Sequence, residues 1–245
     1  MTRIWYDSNI IQQFISYAIG CYMGRFRLDR PGLHIAHPNP SAEELAPYEV
    51  TCLASRSPES FSIDEDAIIP ILPIDAPFPD NAANRITNFV KLVFGTDNIN
   101  ENMNFIQDAL GMSVADYMTK NFYADHKKRY QNRPIYWLFS SKKGAFQCLV
   151  YMHRMNRFTV GRIRDNYLLP YIQHLETKLS ELNVNAALLS SAERKEQKRK
   201  LAILQECREY DNILHLFADR QIDFDLDDGV LHNYSIFKDI LAKLK

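Results

Sequence analysis

The sequence predicts an α+β fold that is mainly α-helical, and three observations carry that prediction. Glycine supplies only 8 of 245 residues, too few for an architecture of many tight turns. Apolar residues recur at three- and four-residue spacing in most segments of the chain. Nine of the eleven prolines fall between Pro31 and Pro79, which confines the irregular structure to one stretch. The expected architecture is a helical body with a loop-rich, proline-rich excursion, one aromatic β-hairpin, and a C-terminal antiparallel, coiled-coil-like helical hairpin.

The first element is a helix over residues 8–24. Ser8 is placed to cap it, and Ile11, Phe14, Ile15, Ala18, Ile19 and Tyr22 repeat at helical spacing. Gly20 and Gly24 are four apart, so one face is small enough for another helix to approach closely. The proline-rich excursion follows, with a short extended piece near residues 67–72. Helix resumes over 81–94, where Ile86, Phe89, Val90 and Val93 form a stripe. Two shorter helices are expected over 101–110 and 114–126. Asn132-Arg133-Pro134 then changes the period. Residues 135–141 and 145–153 read as two strands joined by Ser141-Lys142-Lys143-Gly144, a β-hairpin whose two faces both require cover.

After Phe158 the chain returns to helix. Leu168, Ile172, Leu175, Leu179, Leu182, Ala186 and Leu189 form a heptad seam. Ser190 and Glu193 make a capping-box pattern that starts a new helix, in which Ile203, Cys207, Tyr210, Leu214 and Phe217 repeat the seam. Two such helices joined by a short turn imply an antiparallel pair. The tail, 222–244, alternates and then ends in a small helix. Its Asp223, Asp225, Asp227 and Asp228 do not fit a calcium loop, because Tyr234 stands where the twelfth-position Glu belongs. They read as a turn closed by Gly229. The expected domains are residues 1–164 as the body, carrying a basic block over 115–164, residues 165–219 as the arm, and residues 220–245 as a tail packing on the body.

The chain lacks the parts of a catalyst. It has no GxGxxG, P-loop, GxSxG, HExxH or CxxC, and no Asn/Asp-Pro-Pro-aromatic string. Asp125 and His126 are adjacent on a helix and so point about 100° apart; His126 and His153 read as structural. No catalytic, cofactor-binding or metal-ligating residue is assigned. Cys21, Cys52, Cys148 and Cys207 are scattered and read as reduced, buried thiols. No apolar run of about 18 residues and no signal-peptide pattern is present, so the chain is expected to be cytoplasmic, with no membrane partner.

Charge is the informative feature. The net charge of −1 divides into 7 Lys+Arg against 14 Asp+Glu in residues 1–114, 11 against 3 in residues 115–165, and 11 against 13 thereafter. A basic block of that density points to a polyanion. The candidate nucleic-acid-binding residues are Lys127, Lys128, Arg129, Lys142, Lys143, Arg157, Arg162 and Arg164. The alternative for the block is ion pairing with the acidic first third. Arg133 and Arg154, which flank the hairpin, are read as structural.

Several strings resemble the C-terminal region of the PglX/BrxX adenine-specific DNA methyltransferases of BREX phage-defence systems, with related strings in type IIG restriction-modification enzymes. The segment from Ile15 to Phe26 (ISYAIGCYMGRF), Leu28-Asp29 and Pro31-Gly32-Leu33 look like one block. Residues 122–130 (FYADHKKRY) with 133–141 (RPIYWLFSS) are the most specific, and Tyr151-Met152-His153-Arg154, residues 226–230 (LDDGV) and Asn233-Tyr234 complete the series. The resemblance implies a parent enzyme that transfers a methyl group from S-adenosylmethionine to adenine, with its cofactor and base-flipping motifs upstream. The chain is then an expressed fragment or the product of a split gene. Its implied role is non-catalytic: helping to bind or position double-stranded DNA. The alternative is assembly, in which the helical arm contacts the catalytic part or other defence-system subunits. Salt separates the two, since phosphate contacts weaken steeply with salt and apolar contacts do not.

Overall fold

The computed structural model describes residues 2–51, 58–184 and 189–244. The chain divides into two compact units: one of residues 1–74, 79–137 and 149–155, the other of residues 75–78, 138–148 and 156–245. The fold is mainly helical α+β.

The first unit opens with α1 (Thr2–Tyr22). Its buried residues Ile11, Ile15, Ala18 and Ile19 follow the apolar stripe, so burial of that stripe fixes the face turned inward. The proline-rich stretch holds α2 (Ala42–Leu45), then β1 (Tyr48–Thr51) paired antiparallel with β2 (Pro58–Phe61), and β3 (Ile68–Pro70). Neither β1 nor β2 shows an apolar run long enough to be read from sequence. Helix α3 (Ala82–Phe94) starts at Asn81, which is buried and bonded on both sides. Its Oδ1 accepts from the Ala83 amide at 3.1 Å and its Nδ2 donates to the Leu72 carbonyl at 2.6 Å. One residue thus caps the helix and pins the end of the excursion.

Helix α4 (Ile99–Leu110) ends at Gly111. The segment expected as one helix over 114–126 is two, α5 (Val114–Lys120) and α6 (Phe122–Arg129). Asn121, at φ −120°, breaks them, and its side-chain amide donates to the Met112 sulfur at 3.6 Å. The Gly20–Gly24 pair does not admit a helix. A Cβ on Gly20 would lie 2.6 Å from a Phe26 ring carbon and 2.7 Å from the Tyr136 hydroxyl, and Gly24 lies beyond the helix at φ +75°. The close approach is made by two aromatic side chains.

The aromatic hairpin is β4 (Tyr136–Ser140) and β5 (Gln147–Tyr151), and β5 also pairs with β3. Its inner parts belong to the first unit, where Tyr136, Trp137 and Tyr151 are all buried. Its tip belongs to the second, with Gly144 at φ +77°, in the left-handed region that glycine tolerates.

In the second unit α7 (Thr159–Arg162) runs through a π-helical turn (Ile163–Leu168) into α8 (Leu169–Val184). The widened turn, in which the Leu169 amide reaches back to the Arg164 carbonyl, immediately precedes Pro170. A proline ring cannot stack on the carbonyl four residues behind it, so the ladder loosens there. Helix α9 (Ser191–Arg220) begins with the expected capping box of Ser190 and Glu193 and packs on α8. Leu168, Ile172, Leu175, Leu179 and Leu189 are buried, as are Cys207, Tyr210, Leu214 and Phe217. Ala186 lies outside the described residues. The buried residue at the head of the α9 seam is Leu204, not Ile203.

The tail forms a 3-10 turn at Leu226–Asp228 and α10 (Val230–Ile236). Asp225 accepts from the Asp227 amide at 2.9 Å and Gly229 follows at φ +86°, so the acidic run is a closed turn. The last residues then lie along β4: the Ser140 amide donates to the Ile240 carbonyl at 3.2 Å and the Ala242 amide to the Leu138 carbonyl at 2.8 Å. Cys21, Cys148 and Cys207 are buried thiols; Cys52 lies outside the described residues.

Candidate nucleic-acid interface

The basic residues of the first unit sit on the last turn of α6. That helix is held by its buried face, Phe122, Tyr123 and His126. His126 is 1 % exposed, and its Nε2 accepts from the amides of Ile135 and Tyr136 at 3.2 and 3.1 Å. It stacks on the Tyr136 ring at 4.7 Å. Burial, helped by the charges of Arg129 and Arg25, pushes its pKa down to about 3, so the ring is neutral and serves as a scaffold. Asp125 faces elsewhere and accepts from the Tyr117 hydroxyl at 2.9 Å. The adjacent pair therefore makes two separate structural contacts.

With His126 turned inward, Lys128 and Arg129 are exposed and Lys127 is half-buried over the Tyr123 ring, at 5.4 Å. Cations there also suit the negative end of the helix dipole. Lys128, Arg129 and Asp125 line an open cleft with Ser8, Asn9 and Gln12 of α1.

Beyond α6 the chain turns through Gln131 and Asn132, at φ 51° and 59°. The Asn132 amide donates to the Lys127 carbonyl at 2.8 Å and the Gln131 amide to the Lys128 carbonyl at 3.2 Å. That is a Schellman closure with Gln where Gly is usual. Left-handed backbone costs an L residue roughly 1–2 kcal/mol, and here two consecutive residues adopt it.

Arg154 is structural, as expected. It is 4 % exposed, and its guanidinium donates to the Met23 carbonyl at 3.2 Å, to the Asp64 carbonyl at 2.7 Å, and to that of Glu65. Arg133 corrects the expectation. Its side chain is exposed because the preceding turn swings it outward before β4 begins.

The basic residues of the second unit fall in two places. Lys142 and Lys143 are exposed at the hairpin tip. The tip is fastened by Glu206 of α9, whose Oε1 accepts from the Ser141 hydroxyl at 2.6 Å, the Lys143 amide at 2.6 Å and the Ala145 amide at 3.3 Å. The Phe146 amide donates to Ser141 Oγ at 3.0 Å, which completes the clamp. Lys142 and Lys143, with Arg199, rim an open cleft beside it. No residue on α9 was singled out for this clamp from sequence.

The other place is the start of the helical run. Arg164 is bound to Asp211 at 2.6 Å and is already neutralised. Arg157 lies 4.0 Å from Asp223, an exposed pair worth little. Arg162 is half-exposed. Among the described residues, the acids that answer these arginines are Asp165 of the π-helical turn, Asp211 of α9 and Asp223 of the tail, none of them in the acidic first third.

No strand among the described residues passes through a glycine-rich turn into a helix, the arrangement that cradles a nucleotide-like cofactor. No group of three or more potential metal ligands is found among the described residues. No helix among them is long and apolar enough to cross a membrane.

The chain is mainly helical α+β, with basic residues displayed on a helix end and a hairpin tip, and sequence comparison assigns it a context. No protein-family model matches the chain. It is 38% identical over 257 aligned positions to the adenine-specific methyltransferase BrxX of Escherichia coli O9:H4 (strain HS), covering 97% of this chain and 21% of that protein. It is 36% identical over 241 positions to the adenine-specific methyltransferase PglX of Lacticaseibacillus casei (strain Zhang), covering 92% of this chain and 19% of that protein. The chain is thus related, over nearly its whole length, to a segment of the BrxX and PglX adenine-specific methyltransferases, and it spans about one fifth of their length.

Proposed function

We propose that this chain is a non-catalytic, C-terminal part of an adenine-specific DNA methyltransferase of a BREX-type phage-defence system, and that it grips duplex DNA for the parent enzyme. In this reading the parent uses S-adenosylmethionine, and the residues that hold it lie in the rest of the parent. An enzyme that modifies adenine in a duplex must take the base out of the stack, and the catalytic part needs the flanking duplex held in place while it does so. The supporting observation is that Lys128, Arg129, Lys142 and Lys143 are all exposed, on elements whose backbones are pinned from inside. Arg157 and Arg162 add charge, Lys127 supports from its stacked position, and Arg164 serves the fold through Asp211. Rigidly presented cations suit phosphate contacts, which set orientation and affinity.

The second reading is assembly. Ile213 and Leu216 of α9 are 39% and 63% exposed, neighbouring apolar side chains on one helix face that a protein partner would cover. Fluorescence anisotropy of the 245-residue chain with a short duplex tests both. With about five phosphate contacts, affinity falls by roughly two to three orders of magnitude between 50 and 200 mM salt. No binding even at low salt overturns the DNA reading in favour of assembly.

A further inference from the structure

We infer that the turn Gln131-Asn132-Arg133 reads base edges in the DNA, so that this chain contributes to sequence choice and not only to grip. The inference rests on the DNA-binding reading above and specifies which residues would discriminate between sequences.

Three observations converge on this turn. Gln131, Asn132 and Arg133 are all exposed, and none of their side chains has a bonding partner among the described residues. Their chemistry is the second. Asn and Gln amides match the N6 and N7 edge of adenine, and a guanidinium matches the O6 and N7 edge of guanine, each by a paired hydrogen bond in the major groove. Rigidity is the third. The Asn132 and Gln131 amides bond back to α6, the Arg133 amide donates to the Tyr130 carbonyl at 2.9 Å, and the Tyr130 hydroxyl accepts from Arg25 at 2.7 Å. Just after the turn, the Ile135 and Tyr136 amides are held by His126.

Two consecutive residues in left-handed backbone aim polar side chains into solvent from a main chain whose amides are bonded. Such strain persists where the surroundings over-determine it, and it gathers at binding sites. The exposed Lys128 and Arg129, immediately before the turn, are placed to take the flanking phosphates. The division of labour is then phosphate grip from the helix end and base contact from the turn that follows it.

The test is selection from a library of duplexes with randomised sequence, using the 245-residue chain, followed by salt titration on the selected duplex. The chain should enrich a short motif. Asn132→Ala, Gln131→Ala and Arg133→Ala should each relax that motif at one or two positions, by roughly tenfold in relative affinity, with the salt slope unchanged. Asn132→Gly retains the left-handed backbone and should relax the same position, which separates the side chain from the fold. Lys128→Ala should instead weaken all sequences alike and reduce the salt slope by about 1. Variants that select the original motif, or a wild-type chain that binds without selecting any, would overturn base reading and leave DNA grip standing. Absence of binding at low salt would overturn both.

Discussion

Glu206 and Ser141 stand 65 positions apart in sequence, yet the Ser141 hydroxyl donates to Glu206 Oε1 at 2.6 Å. The same oxygen takes the Lys143 and Ala145 amides, so one carboxylate satisfies most of the hairpin tip. Charge-assisted bonds of this kind are stronger than neutral ones. Glu206→Ala is expected to cost about 1–3 kcal/mol, since Ser141 is buried and loses its acceptor. Glu206→Gln keeps an acceptor oxygen and should cost less. Urea midpoints of the two variants, with Ser141→Ala completing a double-mutant cycle, read the coupling directly. An unchanged midpoint for Glu206→Ala would remove the clamp from the account.

Lys142 and Lys143 owe their display to that clamp but contribute nothing to it through their side chains, because only the Lys143 backbone amide bonds to Glu206. The double variant Lys142→Ala/Lys143→Ala should therefore melt with the wild type. If both lysines touch phosphates, the slope of log affinity against log salt should fall by about 2. A lower melting temperature with unchanged DNA affinity would make the pair structural.

Local signals in the sequence were legible where the physics is local. The capping box at Ser190, the left-handed turn at Gly144 and the Asn81 helix start each depend on a few neighbouring residues. The arm seam was legible at Cys207, Tyr210, Leu214 and Phe217, and it differs at its head, where Leu204 is buried in place of Ile203. Positions three and four residues before Cys207 both flank the same helix face, so spacing alone does not choose between them. Arg133 and Arg154 were indistinguishable as flanks of the hairpin. The carbonyls of Met23, Asp64 and Glu65, far away in sequence, make Arg154 internal. The same holds for the pairing of the tail with β4, where a single isolated bridge joins Phe139 and Leu241. For the candidate interface, the composition located the basic block, but which cations remain exposed is decided by Asp211, Tyr123 and the backbone around each.

Gly20 is held open by Tyr136. On an ordinary helix Gly→Ala would gain roughly 0.5–1 kcal/mol. Here the added methyl would meet the Tyr136 hydroxyl and the Phe26 ring inside 3 Å, and overpacking of this sort costs about 1–3 kcal/mol. Gly20→Ala should thus lower stability. The Tyr136 hydroxyl is buried without a hydrogen-bond partner among the described residues, so Tyr136→Phe should be neutral or stabilising by up to about 1 kcal/mol. The double variant should recover part of the Gly20→Ala loss, since the Phe26 contact remains. Thermal melts of the three proteins decide it, and strict additivity would show that the two sites do not share this space.

His126 gives the fold a pH dependence of predictable sign. Its folded pKa is depressed to about 3 by burial, with Arg129 and Arg25 adding to the effect, while an unfolded histidine titrates near 6.5. The unfolded chain therefore binds the proton that the folded chain refuses. Stability is fully present above about pH 6.5 and falls as the pH drops toward 3. Between pH 6.5 and 5 the loss from this group is about 2 kcal/mol. His153, also depressed by burial, contributes in the same direction. His126→Gln keeps an acceptor for the Ile135 and Tyr136 amides and has no proton to gain. Urea midpoints measured from pH 7.5 to 5 should fall less steeply in that variant than in the wild type. Equal slopes would mean that His126 is not the group whose protonation the folded state resists.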